Sequence, residues 1–246
     1  MALGIEQLTP AVFVILNTAA VYFGTSPPTS STQKQRDAYL SSGDLLSQSK
    51  NPWVAWYLRE ALNFAFGACE LYTLFSLAYP LLQIPILQSM LLSTSRTAPT
   101  GSDLSLSPMF VLGSCLTCYG AYIRFTCFRA LGRFFTFELA LKDDHRLITT
   151  GPYAIVRHPG YSGMLVLIIG NMLALFSPGR WWMECGMWQT RLGQLMAGGV
   201  VLHELALIRI LLSRVSKEDE ILKKEFKEQW TSWAKKTPYA VIPYVW

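Results

Sequence analysis

Charged side chains are scarce in this sequence. They make up 15% of its 246 residues, whereas hydrophobic residues make up 51%. Soluble domains usually carry about a quarter charged residues, so the deficit favours a membrane protein over an ordinary soluble enzyme. The net charge of +5 does not point to nucleic acid, because a basic excess is also typical of the cytosolic loops of membrane proteins. We therefore expect a lipid bilayer and no nucleic acid as partner.

Two further absences exclude classes of site. No glycine-rich loop follows a strand in a βαβ pattern, so a Rossmann-type cofactor site has no support. The five cysteines include Cys115 and Cys118 at the spacing of metal ligands, but no second pair accompanies them. We interpret all five as small buried hydrophobic residues and expect no metal site.

Long apolar segments are what the sequence does contain. Each is about long enough to cross a bilayer at ~1.5 Å per residue. Their bounds are Leu8–Gly24, Leu71–Ser95, Leu104–Ile123, Tyr161–Gly179 and Leu192–Leu212. Glu60 and Glu70 are expected near the entry of the second segment, where keeping a charge costs less. The sequence therefore predicts an all-α, polytopic integral membrane protein with about five transmembrane helices.

The distribution of basic residues predicts how these helices are oriented. Five crossings place the loops at 25–60 and 124–160 and the tail after residue 212 on one side of the membrane. Together they hold seventeen Lys and Arg residues, whereas the other side holds three: Arg96, Arg180 and Arg191. Because cytosolic loops are enriched in Lys and Arg, both the 124–160 loop and the tail are predicted to be cytosolic, where they can meet.

One polar stretch between apolar segments has an unusual composition. His145–Gly163 reads HRLITTGPYAIVRHPGYSG and holds two of the three histidines of the chain. Pro and Gly disfavour a continuous helix here, so the stretch suits a backbone folded closely around a ligand. Composition alone leaves a second interpretation open, in which the loop only anchors two helices at the membrane interface.

A second informative block lies in the tail. Arg214 and Glu218 are four residues apart and share one face of a helix, together with Leu222. An exposed, salt-bridged helix would give the same pattern. Inside the fifth segment, His203 and Glu204 are functional suspects because charge is rare in membranes, but we favour internal pairing among helices.

Both blocks resemble the isoprenylcysteine carboxyl methyltransferase family. Its signature H-x-L-[VI]-T-x-G-x-Y leads into R-H-P-x-Y-x-G, and its last segment reads R-x-x-x-E-[ED]-x-x-L followed by F-G. Lys227 stands where that glycine is usual, and Trp230 and Trp233 stand where Tyr is usual. The resemblance covers roughly residues 130–246. It implies two regions, the N-terminal transmembrane helices 1–3 at 1–123 and a catalytic methyltransferase region at 124–246.

The resemblance also implies an activity: methyl transfer from S-adenosylmethionine to the C-terminal carboxylate of a prenylated cysteine in CaaX-processed, small GTPase-like proteins. The place implied is the endoplasmic reticulum membrane, with the C-terminus and the active site cytosolic. The cofactor site would be formed by the loop before helix 4 and the tail. Arg214 and Arg157 are implied as catalytic, with Arg214 next to the substrate carboxylate. The residues implied in cofactor binding are His145, Leu147, Ile148, Tyr153, His158, Pro159, Gly160, Tyr161 and Glu218.

Two other enzymes and one scaffold remain as alternatives. A phospholipid N-methyltransferase, acting on phosphatidylethanolamine, has a related loop, but its amine nucleophile must lose a proton and needs a base. A carboxylate is already ionised at neutral pH and favours a nearby arginine such as Arg214. A sterol reductase also carries an Arg-His loop, although the glycines at 160 and 163 fit it less well. A membrane scaffold would bind no cofactor at all.

Overall fold

Helices dominate the part of the chain that the structure describes. The computed structural model describes residues 5–26, 52–78, 105–135 and 146–245, which contain no β-strand. Their α-helices are α1 (Ile5–Thr25), α2 (Pro52–Ala78), α3 (Pro108–Leu131), α4 (Pro159–Leu175), the single turn α5 (Trp181–Glu184) and α6 (Arg191–Lys236). Short 3-10 turns cover Gly132–Phe134, Gly151–Ala154 and Met187–Gln189. The prediction of an all-α protein is confirmed over these residues.

Proline sets the start of three of these helices. Pro52, Pro108 and Pro159 each occupy the first position of a helix, where the fixed φ of proline fits and its missing N–H is not needed. Ser107 caps α3, because its hydroxyl oxygen accepts a hydrogen bond from the Phe110 N–H at 3.2 Å. Pro159 therefore ends the polar loop and turns the chain into α4 directly after His158.

The chain divides into two compact units that alternate along the sequence. The first takes its described residues from Met1–Tyr22, Leu58–Tyr119 and Val166–Leu205, and the second from Phe23–Tyr57, Gly120–Leu165 and Ala206–Trp246. Glycines let α3 and α4 approach closely within each unit. In the second unit, a Cβ added to Gly163 would lie 2.9 Å from the Gly120 carbonyl oxygen. The start of α4 is therefore held tightly against α3.

In the first unit, some polar side chains are buried and some large apolar side chains are exposed, which is the reverse of a soluble protein. Ser114 and Thr117 are buried in α3, whereas Val12, Ile15 and Leu16 on α1 are about half exposed, between 50% and 52%. Leu195 on α6 is 75% exposed. Soluble proteins rarely leave such large apolar surfaces uncovered, but this distribution suits a surface that faces lipid.

By length and composition, α6 is the one helix among the described residues that qualifies as a membrane span. Only 11% of its most apolar 18-residue stretch is buried, whereas a core helix of a soluble protein would be mostly buried. The apolar helices Thr9–Thr25 and Pro159–Leu175 are shorter. The structure thus supports a membrane helix at the predicted fifth segment and leaves the number of crossings a prediction. Pro80 and Pro85, where the second apolar segment is expected to kink, fall outside the described residues.

Glu60 and Glu70 lie within helix α2, which begins at Pro52, and both precede the apolar segment that starts at Leu71. Their charges are compensated by ion pairs, Glu60 with Arg59 at 2.9 Å and Glu70 with Arg180 at 2.6 Å. The prediction that all five cysteines are buried needs correction: Cys127 and Cys185 are buried, Cys69 and Cys118 are partly buried, and Cys115 is exposed.

The charged tail is helical, as its residue pattern predicted, as far as Lys236. The fifth apolar segment and the charged residues after it form the continuous helix α6, interrupted only at Lys227, where φ is 45° and ψ is −110°. The expected internal pairing of Glu204 is confirmed, because its carboxylate accepts a hydrogen bond from Arg59 at 3.1 Å.

Candidate active site

The polar loop is a sequence of short turns that ends at α4. Leu147 and Ile148 are half-buried in an irregular segment, and Gly151–Ala154 forms a 3-10 turn. Gly151 has φ of +62°, a backbone conformation that favours glycine. Arg157 and His158 then precede Pro159, the first residue of α4. The turns bring the side chains of Arg157 and His158 to the side of the loop that α6 covers.

His158 is the centre of a cluster of charged side chains in the second unit. Its Nδ1 lies 3.1 Å from Oε2 of Glu218, and its Nε2 lies 3.0 Å from Oδ1 of Asp219. The hydroxyl of Tyr161 donates to Oε1 of Glu218 at 2.6 Å, and its ring stacks on the imidazole with 5.7 Å between centroids. One histidine thus joins two consecutive carboxylates of α6 to the start of α4.

The electrostatics of the cluster make His158 a cation. Burial by itself lowers the pKa of His158, but the hydrogen bonds from both ring nitrogens to Asp219 and Glu218 outweigh it and raise the pKa to about 9. Burial also raises the pKa values of Glu218 and Asp219, yet the bonds from His158 overcome it and leave both pKa values below normal. At neutral pH both nitrogens of His158 therefore donate, and the ring has no lone pair to act as a general base.

Glu218 is the most accessible member of the cluster. Its side chain is 27% exposed, compared with 5% for His158. Arg214, one helical turn earlier, places a guanidinium nitrogen 3.9 Å from Oε1 of Glu218, and its side chain is 4% exposed. The predicted sharing of one helix face by Arg214 and Glu218 is confirmed. The site thus presents an ionised carboxylate to solvent and a buried guanidinium beside it.

Arg157 connects this cluster to the end of the chain. Its Nε donates to Oδ2 of Asp219 at 3.1 Å. Its NH1 group donates to the carbonyl oxygens of Thr237 at 3.1 Å and Pro238 at 2.5 Å. With charged His158, the cluster has three cations, including Arg214, and two carboxylates. The cations can attract an anionic group, and the partly exposed carboxylate of Glu218 can accept hydrogen bonds.

The remaining loop residues are held by main-chain and ring contacts. The Tyr153 carbonyl oxygen accepts a hydrogen bond from the indole N–H of Trp233 at 3.0 Å. Burial keeps the pKa of the Tyr153 hydroxyl well above its usual value, so this group stays neutral. The Gly160 carbonyl accepts a bond from NH1 of Arg124 at 3.0 Å, and Pro159 is buried.

The structure brings together five of the residues predicted for the site: Arg157, His158, Tyr161, Arg214 and Glu218. His145 lies outside the described residues. Sequence reasoning missed Asp219, although it occupies the second acidic position of the E-[ED] motif. It also missed Arg124, whose role depends on a bond to a distant backbone carbonyl, and no local pattern signals such a bond.

Comparison with known proteins agrees with this geometry. The sequence model of the isoprenylcysteine carboxyl methyltransferase (ICMT) family matches residues 112–224, which include the described loop and the cluster residues of α6. A probable protein-S-isoprenylcysteine O-methyltransferase of Oryza sativa subsp. indica is 27% identical over 136 residues, covering 54% of this chain and 61% of the relative. Protein-S-isoprenylcysteine O-methyltransferase B of Arabidopsis thaliana is 27% identical over 135 residues, covering 54% and 58%.

A delta(14)-sterol reductase of Mus musculus is also similar, but over less of its length. It is 28% identical over 101 residues, which are 41% of this chain and 20% of that protein. No solved structure matches the chain. The chain spans about 60% of the length of the two plant relatives. The resemblance predicted from the two motifs is therefore confirmed, and residues 112–224 carry the sequence pattern of the isoprenylcysteine carboxyl methyltransferase family.

Proposed function

We propose that this protein methylates the C-terminal carboxylate of prenylated cysteine, with S-adenosylmethionine as methyl donor. The observation that carries the proposal is the convergence of both family motifs on one charged cluster, His158 with Glu218 and Asp219. The plant relatives are named as O-methyltransferases of protein S-isoprenylcysteine, which supports the proposal. The substrates we propose are CaaX-processed, small GTPase-like proteins.

The residues of the cluster fit a bound S-adenosylmethionine. Its sulfonium supplies a methyl group that passes to an oxygen of the substrate, so that a methyl ester and a neutral thioether result. The exposed part of the Glu218 carboxylate suits the hydroxyl or amino groups of such a ligand. One face of the Tyr161 ring stacks on His158, and the other is our candidate for contact with the ligand's cationic sulfur, because aromatic faces attract cations. Leu147, Ile148, Tyr153, Pro159 and Gly160 remain proposed as contacts in the same loop, as does His145.

The geometry supports a positioning role for His158. Both its ring nitrogens are occupied by carboxylates, so it orients Glu218 and Tyr161 and does not accept a proton. This agrees with a carboxylate nucleophile, which is already ionised at neutral pH and needs no base. Alignment of the nucleophile with the methyl group would then supply most of the rate.

Arg214 is our first candidate for holding the substrate carboxylate, because a guanidinium offers two parallel donors. Arg157 is the second. Its donors contact Asp219 and the carbonyls of Thr237 and Pro238, so direct contact with substrate would require one of these bonds to be exchanged. The catalytic region we propose is 124–246, following the helices of 1–123.

The proposed setting is the endoplasmic reticulum membrane, with about five crossings and a cytosolic site. The asymmetry of seventeen against three basic residues supports this orientation, and a lipid-tailed substrate explains why the site is attached to a bilayer. Cysteine labels placed near Lys34, Lys142 and Lys235 should react from the cytosolic side. Labels near Arg96 and Arg180 should react only after the membrane is opened.

A direct test offers membranes containing the protein two acceptors, N-acetyl-S-farnesylcysteine and phosphatidylethanolamine, with labelled S-adenosylmethionine. We expect label on the farnesylcysteine as a base-labile methyl ester. Label on the phospholipid alone would show an N-methyltransferase. Binding of the cofactor without transfer to either acceptor would contradict the proposed substrate, and no binding would contradict a methyltransferase altogether.

A further inference from the structure

Five consecutive backbone carbonyls near the C-terminal end all accept hydrogen bonds from residues 157–162, at the end of the loop and the start of α4. We call Thr237–Val241 the C-terminal strap. Arg157 NH1 donates to the carbonyls of residues 237 and 238 at 3.1 and 2.5 Å. The backbone N–H groups of Arg157 and His158 donate to the carbonyls of residues 239 and 240 at 2.9 and 2.8 Å. The Ser162 hydroxyl donates to the carbonyl of Val241 at 2.5 Å.

Packing holds the strap in this register. Ala240 and Val241 are buried, and with Val215 of α6 they form an apolar cluster against which Tyr161 and Leu165 pack. The residue after the strap, Ile242, is 45% exposed. The strap thus lies between the loop and α6. Its backbone contacts the loop, and the side chains of Ala240 and Val241 pack against Val215 of α6.

The strap lies at one end of a continuous series of charged contacts. It fixes Arg157, which contacts Asp219, and Asp219 contacts Nε2 of His158. Nδ1 of His158 contacts Glu218, which accepts the Tyr161 hydroxyl. Without the strap, Arg157 loses two acceptors and the backbone of Arg157 and His158 loses two more. The orientation of His158, and through it of Glu218, then has less support.

We propose that the C-terminal strap is a positioning element of the cofactor site, which sets the orientation of the Arg157–His158 backbone and thereby of Glu218. This inference rests on the proposed function of that site. The strap is recognised mainly through its carbonyls, so its side chains tolerate change except at the buried positions Thr237, Ala240 and Val241. It acts on cofactor affinity more than on the prenylcysteine.

Two neighbouring positions provide a matched pair of variants. Val241→Asp places a charge in the apolar cluster, where Val241 is fully buried. Ile242→Asp makes the same change at an exposed position. We expect Val241→Asp to weaken S-adenosylmethionine binding by about tenfold or more in isothermal titration, with a smaller change in the KM for farnesylcysteine, and Ile242→Asp to bind as wild type.

Rescue separates positioning from folding. A chain ending at Lys236 should bind the cofactor weakly, and a synthetic peptide with the sequence of residues 237–246 should restore binding. The same peptide with Val241→Asp should not. If the shortened chain loses its helical circular dichroism, it has not folded. The point variants in the full chain then decide whether the strap positions the cofactor site. Equal cofactor affinity for Val241→Asp and wild type would overturn the proposal.

Hydrogen exchange tests the strap independently of the proposed function. The amides of Arg157 and His158 should exchange slowly in wild type and in Ile242→Asp, and faster in Val241→Asp. If wild type shows this protection but binds no S-adenosylmethionine, the proposed function fails and with it the role of the strap in cofactor binding. If wild type binds the cofactor and the amides exchange equally in all three proteins, the strap proposal fails alone.

Discussion

Two clusters of charged side chains, one in each unit, are built from similar parts and differ in access to solvent. In the first unit Arg59 contacts Glu60 at 2.9 Å and Glu204 at 3.1 Å, and the two carboxylate side chains are 6% and 7% exposed. In the second unit His158 joins Glu218 and Asp219, whose side chains are 27% and 16% exposed. A closed ion pair mainly fixes helices, whereas a partly open one can also bind a ligand. Accessibility, more than charge, separates a structural cluster from a candidate site.

The largest effect should follow from opening the closed cluster. Glu204→Ala leaves Arg59 with a buried charge that has lost one of its two carboxylates, and losing one partner of a buried pair costs roughly 3–5 kcal/mol. We expect a large fall in the yield and the melting temperature of the detergent-solubilised protein. The fraction that folds should bind S-adenosylmethionine with wild-type affinity.

A double variant tests this assignment. Replacing both charges by apolar residues of similar size, Arg59→Met with Glu204→Leu, should recover much of the lost stability, because no charge is left unpaired. A loss of cofactor affinity in the folded single variant would contradict a purely structural role for the first cluster.

Arg214 gives the next effect, in the open cluster. Arg214→Ala should act mainly on the prenylcysteine, since it leaves a substrate carboxylate without its cation at the edge of a low-dielectric site. Such a loss costs roughly 2–5 kcal/mol, or about 30- to several-thousand-fold in kcat/KM. Arg214→Lys should recover only part, because an ammonium cannot hold both carboxylate oxygens.

Glu218→Ala provides the counterpart to Arg214→Ala. It removes an acceptor for the cofactor and should raise the apparent KM for S-adenosylmethionine more than that for the prenylcysteine. Initial rates measured with each substrate varied in turn separate the two. If both variants raise both constants equally, the 3.9 Å pair of Arg214 and Glu218 is a structural ion pair.

The sequence predicted the partners in this cluster but not the contacts that hold them. Arg214 and Glu218 are related by helical periodicity, and His158 and Tyr161 by a short motif, so local patterns were sufficient. The strap contacts the loop through carbonyl oxygens, which every residue has, so no residue type reveals it.

The start of α2 at Pro52 was missed because its apolar character begins later than its helical conformation. The structural role of a buried charge such as Glu60 can be recognised only when its ion-pair partner is known.

The pH dependence of the open cluster should be smaller. In the folded protein the pKa of His158 is about 9, above its ordinary value of 6.5. Protonated His158 therefore stabilises the folded protein fully below about pH 6.5, and this stabilisation is lost as the pH rises through about 9. Charge-assisted hydrogen bonds contribute roughly 1.5–3 kcal/mol, so cofactor affinity and melting temperature should both fall between about pH 7 and about pH 10.

The control is His158→Gln, which keeps two polar groups but cannot become a cation. Its melting temperature should start lower and change less over the same pH interval. Glu204→Ala is not a control for this pH profile, because it also removes the contact between Oε1 of Glu204 and Nδ1 of His203 at 3.6 Å. An equally steep fall in His158→Gln would assign the pH dependence to another group.

The smallest effect concerns Lys227, which separates the part of α6 that carries the open cluster from the part that leads to the strap. Its φ of 45° and ψ of −110° interrupt the helix, and a side chain in this region costs of order 1–3 kcal/mol of backbone strain. The family pattern has glycine at this position, and the strained backbone gives the physical reason. We expect Lys227→Gly to raise stability by about 1 kcal/mol, since relief of strain exceeds the entropy that glycine loses on folding.

Lys224→Gly is the matched control, because the same change at an exposed position of ordinary helix should lower stability by about 1 kcal/mol. Thermal unfolding of both variants measures opposite signs if the kink is strained, whereas destabilisation by both would show that Lys227 adopts its conformation without strain.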